Sequence, residues 1–262
     1  MCSPCEIPGP GFSVLEQEEN KSNVNNTTTF LGILMNVLTT LEIDVLQSNE
    51  LKQAIELAAK YKLPAIIVHP ELAANAFIGR GTARGKFKII TAIDWPKASK
   101  YGAQKLIDLS IDAIETDGFE VMITPDKSEA EIANEARAIT DFARNHLQPG
   151  FEVRFVFPQD SSEEFIERAA KALVKVPKPV CLRNDIFLKT QTSKACAETH
   201  NHFINVVRRQ NGIAIKISGN INGLKSIAEC DKASKFAVNV TQAKTIIKEY
   251  YKQSQIQDVV NS

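Results

Sequence analysis

The sequence predicts an α/β fold of the (β/α)8 TIM barrel class with an extended N-terminal arm, and three observations lead there. Short apolar runs alternate with amphipathic helical stretches from Leu31 to about Tyr251, the rhythm of parallel strand-helix units. Eight such runs can be counted, the number that closes a barrel. No Gly-x-Gly-x-x-Gly follows the early strands, so an open dinucleotide-binding sheet has no support.

The elements follow in order. Residues 1–30 read as an arm, with Pro8-Gly9-Pro10-Gly11 and then a polar stretch through Asn20, Asn23, Asn25, Asn26 and Thr27 to Thr29; such composition lacks the apolar periodicity of a packed element. Residues 31–262 form the barrel domain. The strands are predicted at Leu34–Leu41, Pro64–His69, Phe87–Asp94, Phe119–Thr124, Glu152–Phe157, Ile186–Thr190, Ile213–Ser218 and Phe236–Val240. Helices are predicted over 48–61, 97–116, 128–147, 161–176, 195–210, 222–232 and 241–255. Ser128 with Glu131, and Ser161 with Glu164, have capping-box spacing, in which the serine hydroxyl accepts from an orphan N–H of the first turn. The stretch 176–185, with Pro177, Pro179 and Cys181, is irregular and has room for a further short strand.

Composition narrows the function classes. The chain has 262 residues, 44% of them hydrophobic, and 31 basic side chains balance 31 acidic ones. A balanced charge with no basic block argues against a nucleic-acid partner. No apolar run reaches the length of a membrane span, and no charged n-region with an apolar core opens the chain, so the expectation is a cytoplasmic protein with no membrane partner. Cysteines 2, 5, 181, 196 and 230 are odd in number and scattered, which describes reduced thiols and not a disulfide framework. Cys2 and Cys5 have C-x-x-C spacing but no second ligand pair nearby; no metal and no cofactor are expected.

The chemistry-bearing signal is a pair of lysines. Ile186-Phe187-Leu188-Lys189-Thr190 and Ile213-Ala214-Ile215-Lys216-Ile217 each carry one lysine among apolar residues. Burying an ammonium is costly unless it is paired or deprotonated, and a deprotonated lysine is a nucleophile. Ala214, Lys216 and Ser218 share one face of their strand, opposite Ile213, Ile215 and Ile217. The bland alternative is a lysine at each strand end that snorkels to water. At the C-terminal strand ends of a barrel, where sites form, the other candidates are His69, Asp94, Glu120, Met122 and Arg154. One lysine beside a second cation is a sensible Schiff-base pair, since the neighbour favours the neutral amine. His69 as a core histidine, Asp94 as a turn residue before Trp95-Pro96, and Glu120 as an ion pair with Arg154 are the competing structural roles.

Four segments bear a resemblance to the 2-deoxyribose-5-phosphate aldolase family, class I aldolases built as (β/α)8 barrels. They are Leu34-Met35-Asn36-Val37-Leu38-Thr39-Thr40-Leu41, Ala65-Ile66-Ile67-Val68-His69-Pro70, Phe187-Leu188-Lys189-Thr190-Gln191-Thr192 and Ile215-Lys216-Ile217-Ser218-Gly219. The resemblance implies Lys189 as the Schiff-base nucleophile and Lys216 as the cation that tunes it. It implies accessory places for Arg154, Asn36 and Thr192, and phosphate binding around Ser218, Gly219 and Asn239. The family's acids on strands one and four appear as Asn36 and Met122, which leaves His69, Asp94 or Glu120 to replace the proton relay. The implied substrate is a small aldehyde or sugar phosphate, and the implied partner a second copy of the chain or an assembly docked through residues 1–30. The alternative from another class is a barrel without turnover that serves as a structural subunit of a larger assembly, such as a multi-subunit or viral particle.

Overall fold

The sheet is closed and entirely parallel. A computed structural model describes residues 37–45, 47–93, 115–158, 161–176, 187–192, 205–207, 214–219, 221–230 and 233–260, with the backbone alone for 187–192 and 256–260. Its strands are β1 (Leu41–Val45), β2 (Ala65–Val68), β3 (Lys88–Ile93), β4 (Gly118–Met122), β5 (Glu152–Phe157), β6 (Phe187–Thr192), β7 (Ala214–Gly219) and β8 (Lys235–Asn239). Each pairs with the next in chain order, and β8 returns to β1 through Leu41 opposite Phe236 and Ile43 opposite Val238. The described helices are α1 (Leu51–Tyr61), α2 (Ala73–Thr82), α3 (Glu129–His146), α4 (Glu163–Val174), α5 (Leu224–Glu229) and α6 (Val240–Val260). α1 packs on β1 and β2, and α6 packs on β8 and β1. This is a TIM-barrel-like fold.

Period two sorts each strand into an outer apolar face and an inner one. Leu41, Ile43, Ile66, Val68, Ile89, Phe119, Val121, Phe155, Phe157, Ile215, Ile217, Phe236 and Val238 belong to the large core between sheet and helices. Burying each such side chain contributes about 1.5–3 kcal/mol. The inner face carries only a small apolar cluster of Ala65, Ile67, Ile90, Ala92 and Ala237. Beside it the described inner face carries Met122, Val156 and Ser218 and a group of buried charges. Gly118 opens β4 where no side chain fits, since a Cβ there would lie 2.6 Å from the carbonyl oxygen of Glu152 and 2.9 Å from Ile90 Cδ1.

Three predicted features are corrected. Residues 37–40 are helical and β1 begins at Leu41, so the strand expected over Leu34–Leu41 ends where the real one starts. Local bonding favours the turn, with Thr40 Oγ1 donating to the Val37 carbonyl at 3.1 Å. α2 was not foreseen because Gly79 and Gly81 weaken its helical pattern. The cap of α4 is Ser162, whose hydroxyl accepts from Phe165 N at 3.2 Å, while Ser161 donates to the Pro158 carbonyl at 2.7 Å. The box on Ser128 and Glu131 is present as expected. The predicted arm and the stretch 177–186 lie outside the described residues, and the predicted helices 97–116 and 195–210 do so almost wholly.

Candidate active site

The barrel interior is built around Arg154. On β1 the alternation that places Leu41 and Ile43 under the helices turns Glu42 inward, and on β5 it turns Glu152 and Arg154 inward beside Glu120 of β4. All five guanidinium donors have carboxylate acceptors. Nε donates to Glu152 at 2.9 Å, Nη1 to Glu42 at 2.8 Å and Glu120 at 3.1 Å, and Nη2 to Glu42 at 3.2 Å and also to Glu152. Five N–H groups are the whole donor capacity of an arginine. The pairing of Glu120 with Arg154 is thus the cross-strand ion pair weighed for it from the sequence.

Lys216 enters the same cluster from β7. It is fully buried, and its ammonium is ion-paired with both Glu42 and Glu120. Lys235 of β8 reaches Glu42 at 3.0 Å, and Lys88 of β3 pairs with Glu152. Three carboxylates therefore face four cations. Burial alone pushes the Glu42 carboxyl up, but Arg154, Lys216 and Lys235 together hold it well below the usual range. Glu152 is likewise raised by burial and lowered more by Arg154 and Lys88, to a net value of about 2. Burial disfavours the charged form of Arg154, yet Glu42, Glu152 and Glu120 raise its pKa further.

Lys189 is placed by backbone register. It lies opposite Lys216 on one side and Val156 on the other. The two lysines singled out in the sequence are therefore neighbours across β6 and β7.

The remaining candidates separate. Glu120 is brought to Lys216; Asp94 and Asn36 lie outside the described residues. Glu120 of β4 is ion-paired with Lys216, two residues before the buried Met122. His69 is half-buried after β2, where its carbonyl accepts from Leu72 N at 3.0 Å and opens a helical turn. Thr192 is the register partner of Gly219. Ser218 is buried, and Gly219 has a φ of 125°, a conformation that suits only glycine. The Ile221 amide donates back to the Gly219 carbonyl at 2.8 Å, so it is not aimed at an anion. Asn239 accepts from Gln242 N at 2.9 Å and donates its own N–H to the Gln242 side chain at 3.1 Å. This reciprocal pair caps the start of α6. Gln242 also donates to Asn222 at 3.1 Å, tying the segment after β7 to the start of α6.

Glu42 and Lys235 were missed in the sequence. Glu42 falls just past the strand predicted over Leu34–Leu41 and Lys235 just before the one predicted at Phe236–Val240, whereas the strands run Leu41–Val45 and Lys235–Asn239. Charges at period two on several strands were the signal. Among the described residues no cluster of His, Cys, Asp and Glu has the grouping of a metal site, and no helix is long and apolar enough to cross a membrane.

Solved structures with this architecture include deoxyribose phosphate aldolase from Aeropyrum pernix, at a TM-score of 0.69 and 12% identity, covering 86% of this chain and 97% of that one. A second is the aldolase QR15, at a TM-score of 0.63 and 15% identity, covering 84% of this chain and 97% of that one. The chain has the fold of these aldolases. The Aeropyrum enzyme is described as a tetramer of unique structure. No protein-family model and no curated protein matches the chain.

Proposed function

We propose that the protein is a class I aldolase-like lyase that forms an imine at Lys189 with a small aldehyde or sugar phosphate. The observation that carries this reading is the register of Lys189 against Lys216, whose buried ammonium meets Glu42 and Glu120. In the proposed reaction the neutral amine of Lys189 attacks the carbonyl carbon, its nitrogen gives up a proton and the carbonyl oxygen takes one up. Loss of that oxygen as water, with a second proton, leaves the iminium. A base then removes a proton from the adjacent carbon to give the enamine, which adds to the acceptor aldehyde, and water releases the product. Lys216 and Glu120 are the pair that holds and moves the proton, and Glu120 takes the role for which His69 and Asp94 were the other candidates. Arg154 positions Glu120 and does not contact substrate, because its donors are spent on carboxylates. Recognition of a phosphate would fall to Ser218, Gly219 and Thr192 at the ends of β6 and β7. The proposal takes the full (β/α)8 repeat as complete, with crossovers through 94–114 and 193–213.

Borohydride reduction in the presence of acetaldehyde, and separately of deoxyribose 5-phosphate, tests it by intact mass and peptide mapping. A reduced adduct on Lys189 that is absent from a folded Lys189→Ala variant is the expected result. No adduct with either compound on folded protein, or an adduct unchanged in that variant, overturns the assignment.

A further inference from the structure

Outside the barrel, a cleft of about 830 Å³ lies between α1 and α6. Leu57 and the buried Ile247 form its apolar floor, and the rings of Tyr61 and Tyr251 stand beside it with centroids 5.6 Å apart. Its rim carries Lys60, Lys244, Lys248 and Lys252, all exposed. Tyr251 is 44% exposed, unusual for so large an apolar surface. Four cations around an apolar, aromatic floor suit a segment that is both acidic and hydrophobic.

The chain contains such a segment outside the described residues. Phe12-Ser13-Val14-Leu15-Glu16-Gln17-Glu18-Glu19 places three apolar side chains directly before three carboxylates. Its position in the chain brings it to the correct end of the barrel. α6 starts at the C-terminal end of β8, and Lys252 lies twelve residues beyond Val240, about 18 Å along the helix. That exceeds the roughly 16 Å of a five-residue strand, so the Tyr251 and Lys252 end of the cleft is level with the N-terminal rim of the sheet. Lys60 and Tyr61 close α1 just before β2 begins, at that same rim. Val37, buried in the core, leads into β1 there too. Seventeen residues, 20–36, separate the segment from Val37, and a coil of that many residues spans roughly 20–25 Å root-mean-square. At such spacing the local concentration of the segment is millimolar, so weak contacts suffice.

We infer that residues 12–19 dock in the Lys/Tyr cleft between α1 and α6 of the same chain, with Phe12, Val14 and Leu15 on its floor and Glu16, Glu18 and Glu19 against its lysines. The docked segment would cover the outer surface of the β8–β1 seam and hold α1 and α6 together across it.

A water-soluble carbodiimide, which joins a carboxylate to a lysine amine with loss of water, reads this directly on the full chain. The expected product is monomer-sized, with Glu16, Glu18 or Glu19 linked to Lys60, Lys244, Lys248 or Lys252. Its yield should fall about tenfold in a Lys244→Glu, Lys248→Glu, Lys252→Glu variant. Adding Glu16→Lys, Glu18→Lys and Glu19→Lys should restore links between the same two regions with the chemistry reversed. These exposed substitutions leave the barrel interior untouched, and far-UV circular dichroism checks the fold. Links spread without preference over lysines outside the cleft, no links at all, or failure of the charge exchange to restore them overturns the inference. Links confined to dimer-sized product also overturn it, and place the segment on a second copy of the chain.

Discussion

Replacing Arg154 with methionine removes the cation that touches Glu42, Glu120 and Glu152 together. Glu42, Glu120 and Glu152 keep Lys216, Lys235 and Lys88 among the described residues, and five charge-assisted hydrogen bonds disappear. Removing one member of a buried ion cluster costs about 3–5 kcal/mol, because the charges left behind stay desolvated. For a chain of this size that corresponds to a fall in Tm of about 10 °C. Arg154→Lys keeps the charge but has three donors for five acceptor contacts, so its expected cost is smaller, about 2–4 kcal/mol. Urea titration followed by circular dichroism measures both. Combining Arg154→Met with Glu120→Gln should cost less than the sum of the single changes, since the second removes a carboxylate that the first leaves underpaired. A loss below about 1 kcal/mol for Arg154→Met, or strict additivity with Glu120→Gln, would refute the view that this guanidinium organises the barrel interior.

Three other outcomes follow from the same structure. The folded pKa of Glu152, about 2 against an ordinary 4.5, lies below its unfolded value. Its contribution of about 3 kcal/mol is therefore complete above pH 4.5 and lost as pH falls toward 2. Acid titration of stability should show this loss in the wild type and a shallower one in Arg154→Met. Gly118→Ala should destabilise by about 1–3 kcal/mol through the clash with the Glu152 carbonyl and Ile90, measured by thermal unfolding. Ser162→Ala should cost about 1 kcal/mol and Ser161→Ala less, because Ser162 accepts from Phe165 N at the start of α4; equal costs in urea titrations would contradict the assigned cap.

Much of the architecture can be read from local pattern. The runs Ala65–Val68, Gly118–Met122 and Glu152–Phe157 are short, apolar-rich and separated by helical periodicity. The box on Ser128 and Glu131 announces α3, because the bonds that make it lie within four residues. Where local signals conflict, the reading slips. Residues 34–41 are apolar enough for a strand but close a helical turn over Val37–Thr40, and the glycines of α2 hide a helix.

By itself the sequence determined that Lys189 and Lys216 sit in mid-strand among apolar neighbours, and hence that each needed a reason to be there. Tertiary structure alone decided what that reason is for Lys216. Glu42 and Glu120 are 78 residues apart in sequence and meet at its ammonium only because the closed sheet brings β1, β4 and β7 around one interior. The partners of a buried charge are set by barrel closure and register, and neither leaves a mark on the neighbouring residues of the chain.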